Sequence, residues 1–309
     1  MPLLKWSTSN LKVQPLYGDV RGETEMEDYL FYFGWVAVTP FTISFALGLI
    51  VMLALSMVEV YRYYLPLNTF FGFFALTVIA GVVGSRCWYV YWYEPQYYGE
   101  DPLRIVVLQD GGVHLVGGLL AVFLLTYLWS WWKREHLGKY LDVLMPGLSL
   151  ALALLHTGIE DRAKAITTSL SWFPFDFVQD AHPVQSYYIV LILILFAWIW
   201  NSRRDQMYYG ELTAKFLMGM GLIEFITGFF RYELIYVGIW DYRQVLGIVI
   251  FMVGIIYWRS GKILIPHKKG YSPPEEKNLL SSMAKLIMLL VLMGGMVYLH
   301  HYLMYGGFG

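Results

Sequence analysis

Cysteine is nearly absent: one, Cys87, occurs in 309 residues. An internal disulfide and a multi-cysteine metal site are therefore excluded. Cys87 lies within an apolar run and is expected to be a small buried hydrophobe. Charge is scarce as well, at 15% of residues with a net of −1. No basic cluster interleaved with aromatics marks a nucleic-acid partner. Neither HExxH, which would hold zinc on one helix face, nor the GxSxG elbow of a serine hydrolase occurs, and no metal or cofactor is expected. The N-terminal stretch MPLLKWSTSNLKVQPLYGDVRGETEMEDY has no apolar segment close to its start. A cleaved signal peptide is therefore not expected, and the first span is read as an uncleaved signal. No repeat occurs at solenoid periods.

What fills the chain is apolar. At 58% hydrophobic and 18% aromatic residues, it falls outside the range of a soluble domain. A scan for apolar runs of about 18 or more residues predicts spans near 36–58, 66–93, 112–132, 141–158, 186–200, 211–230, 243–258 and 284–303. The short alternating segments of a transmembrane barrel are not seen. The expected fold class is an all-α integral membrane protein, a polytopic bundle of about eight transmembrane helices. Residues 1–35 form an extramembrane arm, 36–258 the membrane core, 259–283 a cytoplasmic linker carrying KKGYSPPEEK, and 284–309 an additional C-terminal helix. Lys and Arg set the orientation: eleven fall in the connections around 59–65, 133–140, 201–210 and 259–283, against six near the helices on the other side. The first group is placed in the cytoplasm and both termini outside.

An ionisable side chain in a bilayer span is costly and marks a functional candidate. Arg86, His114, His156, Lys215 and Glu224 lie inside or at the rim of the spans. Arg86 and Glu224, the deepest opposite charges, are candidates for a buried pair that fixes helix register or, equally, for a ligand site. Lys215 is expected to snorkel. His156 reads either as the cap of a helix end or as a site residue. The outward loop 159–185 combines Arg162, Lys164 and His182 with acidic residues and the stretch SWFPF. Arg beside headgroup-level aromatics suits the phosphate of an anionic lipid, although an ordinary solvated loop has the same composition.

The motifs GSRxxYVYW, QxGGxxxxGG, PGxSLALxxxHTG, HPVQSYY and FFRYE follow one another in this order. In order and spacing the chain, from about residue 33 to 258, resembles the prolipoprotein diacylglyceryl transferases. The resemblance implies a seven-helix core in the bacterial cytoplasmic membrane. It also implies transfer of a diacylglyceryl group from phosphatidylglycerol to the cysteine thiol of a lipoprotein precursor. The candidates for catalytic roles are His156, Arg162 and His182, and those for lipid binding are Arg86, Tyr89, His114, Gln185, Glu224 and Arg231; His182, Arg86, Tyr89, Gln185 and Arg231 are retained matches to the family. Gly84, Gly117, Gly118, Gly147 and Gly158 are among the retained matches, as expected of backbone positions that pack closely.

Several polar positions depart from the family's pattern. Phe41 stands for its Tyr and Val116 for its His. His156 stands for its Arg, Ile159 for its Asn and Lys164 for its Glu. Glu224 stands for a second Arg, and Gly228 for a second Glu. His114 lies two residues from the family's His, about 200° around a helix, so it is not a direct replacement. Three readings follow: a phospholipid-binding relative in which native transfer is in doubt, a non-catalytic subunit of a larger membrane assembly, or a transferase of altered substrate.

Overall fold

The computed structural model describes residues 31–33, 36–92, 95, 99, 114–159, 182–231, 236–237, 240–264 and 279–305. Each apolar run is a helix, and local capping chemistry decides where it begins. Helix α1 (Pro40–Arg62) starts four residues inside the predicted run because Thr39 Oγ1 accepts the Thr42 N–H at 3.2 Å. Pro40 takes the first turn, where no N–H is required. The residues before it, β2 (Val36–Val38), pair antiparallel with β1 (Phe31–Phe33). Helices α2 (Leu67–Trp92), α3 (Leu115–Lys133), α4 (Leu137–His156), α5 (Val184–Ser202) and α6 (Glu211–Thr227) follow. A second hairpin, β3 (Tyr236–Val237) with β4 (Trp240–Asp241), leads into α7 (Tyr242–Leu264), and α8 (Leu279–Tyr305) closes the order. The described residues thus hold eight helices and two small hairpins. Six helices, α1 to α5 and α7, are long and apolar enough to cross a membrane. Helix α6, at 17 residues, measures only about 26 Å at 1.5 Å per residue.

Helix α4 is the axis of the bundle: 72% of its span is buried, against 22% for α1, α2 and α7. It packs on α1 and α5, while α2 pairs with α3, α6 with α7, and α8 lies on α5. Lipid is as apolar as leucine, so close backbone approach and polar contacts must hold these helices together. Glycines provide the approach. A Cβ on Gly84 would sit 2.6 Å from the Gly117 carbonyl oxygen, and one on Gly117 would strike the Gly84 oxygen and Trp88. Between α6 and α7, a Cβ on Gly221 would meet the Gly247 oxygen at 2.5 Å. Gly117 and Gly118 of QDGGVHLVGG are therefore packing positions, while Gly111 and Gly112 lie outside the described residues.

Polar contacts concentrate at the end of the bundle that carries Lys133, Arg203 and Arg259, the basic end. Sequence reasoning passed over its centre, Asp142, which is fully buried inside the predicted fourth span. One carboxylate oxygen accepts from Gly210 N–H (2.6 Å) and Gln206 Nε2 (2.6 Å), and lies 3.2 Å from Tyr63 Oη, which donates at 2.7 Å to Gln206 Oε1. The other takes the Thr213 N–H (2.9 Å) and hydroxyl (2.7 Å). Gly210 reaches Asp142 from a left-handed φ of +96°, a conformation that favours glycine. Tyr63 lies beyond the end of α1, and burial, then the Asp142 carboxylate, push its phenol well above its ordinary range, so it remains a donor. Beside this knot the buried Glu59 pairs with Arg62 (2.6 Å) and Arg203 (3.0 Å).

One expectation is corrected here. Cys87 is exposed, because the buried stripe of α2 runs through Phe70, Phe73, Thr77 and Arg86 and the next residue turns about 100° away. Lys215 reaches back toward the start of its helix, where it pairs with Glu211 one turn earlier at 2.8 Å.

Candidate active site

Alternating helix direction gathers the starts of α1, α3, α5 and α7 and the ends of α2, α4, α6 and α8 at one end of the bundle, opposite the basic end. Most of the chemistry-bearing residues singled out from the sequence lie there. His156 is the last residue of α4 and is buried. Its side chain does not cap the helix. Nδ1 lies 2.6 Å from Gln185 Oε1, and the ring stacks on Tyr188 at 4.5 Å between centroids and 6° between planes. With the amide oxygen facing it, Nδ1 carries the proton and Nε2 is left as the acceptor.

Tyr188 is the hub, and the sequence did not single it out. Its hydroxyl donates to Glu224 Oε2 at 2.8 Å and accepts from Arg231 Nη1 at 3.1 Å. Gln185 and Tyr188 lie three residues apart and share a helix face, whereas Tyr187 points elsewhere. Tyr188→Phe would keep the stacked ring but remove the bridge between a carboxylate and a guanidinium. The expected result is a folded protein destabilised by about 1–3 kcal/mol, read as a lowered thermal midpoint in detergent. An unchanged midpoint would show that the bridge is of no consequence.

A second group adjoins the first through Glu224. His114, Val116, Glu224, Arg243, Leu246 and Ile250 line a cavity of about 20 Å³, room for roughly one water. Val116 and Glu224, two of the positions that depart from the family pattern, therefore meet His114 in one place. His114 precedes the first residue of α3. Its N–H bonds the Ser85 carbonyl at 3.2 Å, Nε2 lies 2.7 Å from Tyr242 Oη, and the ring stacks on Trp88 at 6.1 Å. Burial first, then the nearby Arg243 and Arg231, push its imidazole down to about 3, so it stays neutral at physiological pH. Arg243 reaches the cavity from the first turn of α7, which a reciprocal capping box sets in place. Gln244 N–H donates to Asp241 Oδ1 at 2.8 Å, and Asp241 N–H donates to Gln244 Oε1 at 3.1 Å. The same box accounts for Gly228, where a Cβ would lie 2.8 Å from Asp241 Oδ2.

The other candidates divide. Arg86 is buried near the end of α2 and Tyr89 is half-buried one turn on. The candidate Arg86–Glu224 ion pair is not among those formed between described residues. Helix α2 packs on α3 and α6 on α7, so the two charges belong to different helix pairs, and Glu224 is bonded to Tyr188 instead. His182 lies against Phe230 (5.0 Å) and Tyr187 (Nδ1 to Oη 3.4 Å). Arg162 lies outside the described residues.

The family model for prolipoprotein diacylglyceryl transferase matches residues 28–259. The chain belongs to this family. Among proteins named phosphatidylglycerol–prolipoprotein diacylglyceryl transferase, that of Finegoldia magna is 26% identical over 242 residues, covering 76% of this chain and 92% of the relative. That of Paracidovorax citrulli is 30% identical over 199 residues, covering 59% of this chain and 73% of the relative. The Bordetella parapertussis protein is 32% identical over 163 residues, 50% of this chain and 62% of its own. The idea that the bundle has lost its family's reaction finds no support in these matches. All the described site residues named so far fall within the matched segment. Helix α8 lies beyond it.

Proposed function

We propose that this membrane protein transfers the diacylglyceryl group of phosphatidylglycerol to the cysteine thiol of a lipoprotein precursor, using the network centred on Tyr188. One observation carries the reading: within the family-matched segment, the buried His156, Gln185, Tyr188 and Arg231 and the half-buried Glu224 form a single polar network at one end of the bundle. By the excess of Lys and Arg at the opposite end, this end faces outward and both termini lie outside the cytoplasmic membrane.

Thiolate is the reactive form of cysteine, so the thiol proton needs an acceptor. His156 Nε2 takes it, with Gln185 holding the other ring nitrogen as donor. The sulfur attacks the glyceryl carbon that bears the phosphate ester. A carbon–sulfur bond forms, the carbon–oxygen bond to phosphate breaks, and glycerol phosphate departs with the electron pair. Arg231 neutralises the charge that grows on the leaving phosphate, and the proton on His156 returns to it. Glu224, through Tyr188, keeps Arg231 oriented. Arg162 and His182, in or beside the loop 159–185, and Arg86 and Tyr89 on α2 are further contacts for the lipid headgroup and the incoming peptide.

Transfer of labelled diacylglycerol from phosphatidylglycerol to a lipobox peptide, by the purified protein in nanodiscs, tests this. His156→Ala is expected to lower the rate by about 10²–10⁴-fold, the usual contribution of a general base. Wild-type protein that binds phosphatidylglycerol but transfers nothing would sink the reading and favour a non-catalytic subunit.

A further inference from the structure

Helix α8 carries a stripe of inward residues at helical spacing: Leu289, Leu292, Met293, Met296 and Val297 pack on the core, and His300 ends the stripe. The opposite face, with Met288, Val291, Tyr298 and Tyr302, is exposed, as expected of a lipid-facing surface. His300 is thus an imidazole where the pattern of the helix asks for an apolar side chain. It is 1% exposed, and burial of a polar ring at such a position is unfavourable unless it is bonded.

Its bond is specific. His300 Nδ1 lies 3.2 Å from the carbonyl oxygen of Thr157. A carbonyl only accepts, so Nδ1 holds the proton. Thr157 immediately follows His156, and its surroundings are already tight. Its hydroxyl donates to the Leu154 carbonyl at 2.7 Å and lies 2.9 Å from Ser44 Oγ on α1. At the next residue, Gly158, a Cβ would come within 2.5 Å of the Pro40 carbonyl oxygen. The turn that ends α4 is therefore gripped by α1 on one side and by α8 on the other.

We infer that His300 is a positioning residue: α8, which lies outside the family-matched segment 28–259, fixes the Thr157 carbonyl and through it the orientation of the His156 imidazole. The inference rests on the reading of His156 as the site's proton carrier. It makes the eighth helix a working part of the site, because the carbonyl that His300 holds belongs to Thr157, the residue bonded to His156. A rotation at Thr157 would carry His156 away from Gln185 and off the face of Tyr188.

The test uses the full chain in nanodiscs with ¹⁵N-histidine. His300→Leu removes the donor, and His300→Asn replaces it with an amide N–H of similar reach. Transfer by His300→Leu is expected to fall on the order of 10²-fold, the scale of an ångström-level misplacement, with His300→Asn restoring most of it. The His156 ¹⁵Nδ1 resonance, which reports the bond to Gln185, should move in the leucine variant and return in the asparagine variant. A merely space-filling role would give the reverse order, since leucine packs better than asparagine in this stripe. Wild-type transfer and an unmoved resonance in His300→Leu would overturn the inference, as would an asparagine variant with a displaced resonance, even if the leucine variant does not fold. If the wild type itself transfers nothing, the resonances still decide the positioning role, and only the transferase reading fails.

Discussion

Asp142→Ala is expected to destabilise the protein by about 3–5 kcal/mol, the usual consequence of removing one member of a buried charged network. Gly210 N–H, Thr213 N–H, the Thr213 hydroxyl and Gln206 Nε2 all point at this carboxylate, and Tyr63 Oη lies beside it. With alanine there, the buried donors of Gln206, Gly210 and Thr213 lose this acceptor together, and Tyr63 keeps only its bond to Gln206. Asp142→Asn sharpens the test. It nearly preserves volume, but its amide nitrogen would face donors, so asparagine should also be strongly destabilising although its shape fits. The measurement is the thermal midpoint of detergent-solubilised protein by size-exclusion fluorescence. A midpoint within a degree or two of wild type for Asp142→Asn would show that the carboxylate is not the tie described here.

The second large effect is expected at the crossing of α2 and α3. Gly117→Leu places side-chain atoms where the Gly84 carbonyl and Trp88 already stand. Backbone cannot yield as a flexible side chain does, so the cost lies at or above the upper end of overpacking, about 3 kcal/mol. The damage would extend to the site, because His114 is bonded to the Ser85 carbonyl and stacked on Trp88. Gly295→Leu is the matched control: a Cβ there meets nothing within 4 Å, and the variant should fold as wild type. Equal yields of monodisperse protein from the two variants would refute the close-approach account.

How much of this was legible in the sequence follows from which force sets each feature. The helices were, because spans need long apolar runs. Their ends were not, because a Thr39 cap and an Asp241–Gln244 capping box set them, and these involve few residues. Within the site, His156, Gln185, Glu224 and Arg231 were recognised, but Tyr188 was passed over for its neighbour Tyr187, since adjacent tyrosines differ only in helical phase. Counting from Gln185 in steps of three would have found it. The same count along α8 singles out His300 over His301. Asp142 needed only the rule applied to the other intramembrane charges. Arg243 gave no signal: counted as a loop charge, it is brought to the cavity by the start of α7. The Arg86–Glu224 pair failed because depth in a span says nothing about which helices are neighbours.

The two ends of the bundle are not wired alike. At one end a single carboxylate ties α4 to α6 and to the connections after α1 and α5. At the other, the polar link between the ends of α4 and α6 passes through a single phenol and the ring stacked on it. Rods pinned at one end act as levers, and slight play at the pin becomes a wide swing at the tip. The cavity between His114 and Glu224 has room for about one water, so it is not by itself the seat of a headgroup and two chains. At this end the tie between α4 and α6 hangs on that one phenol, and His156 is the ring stacked on it.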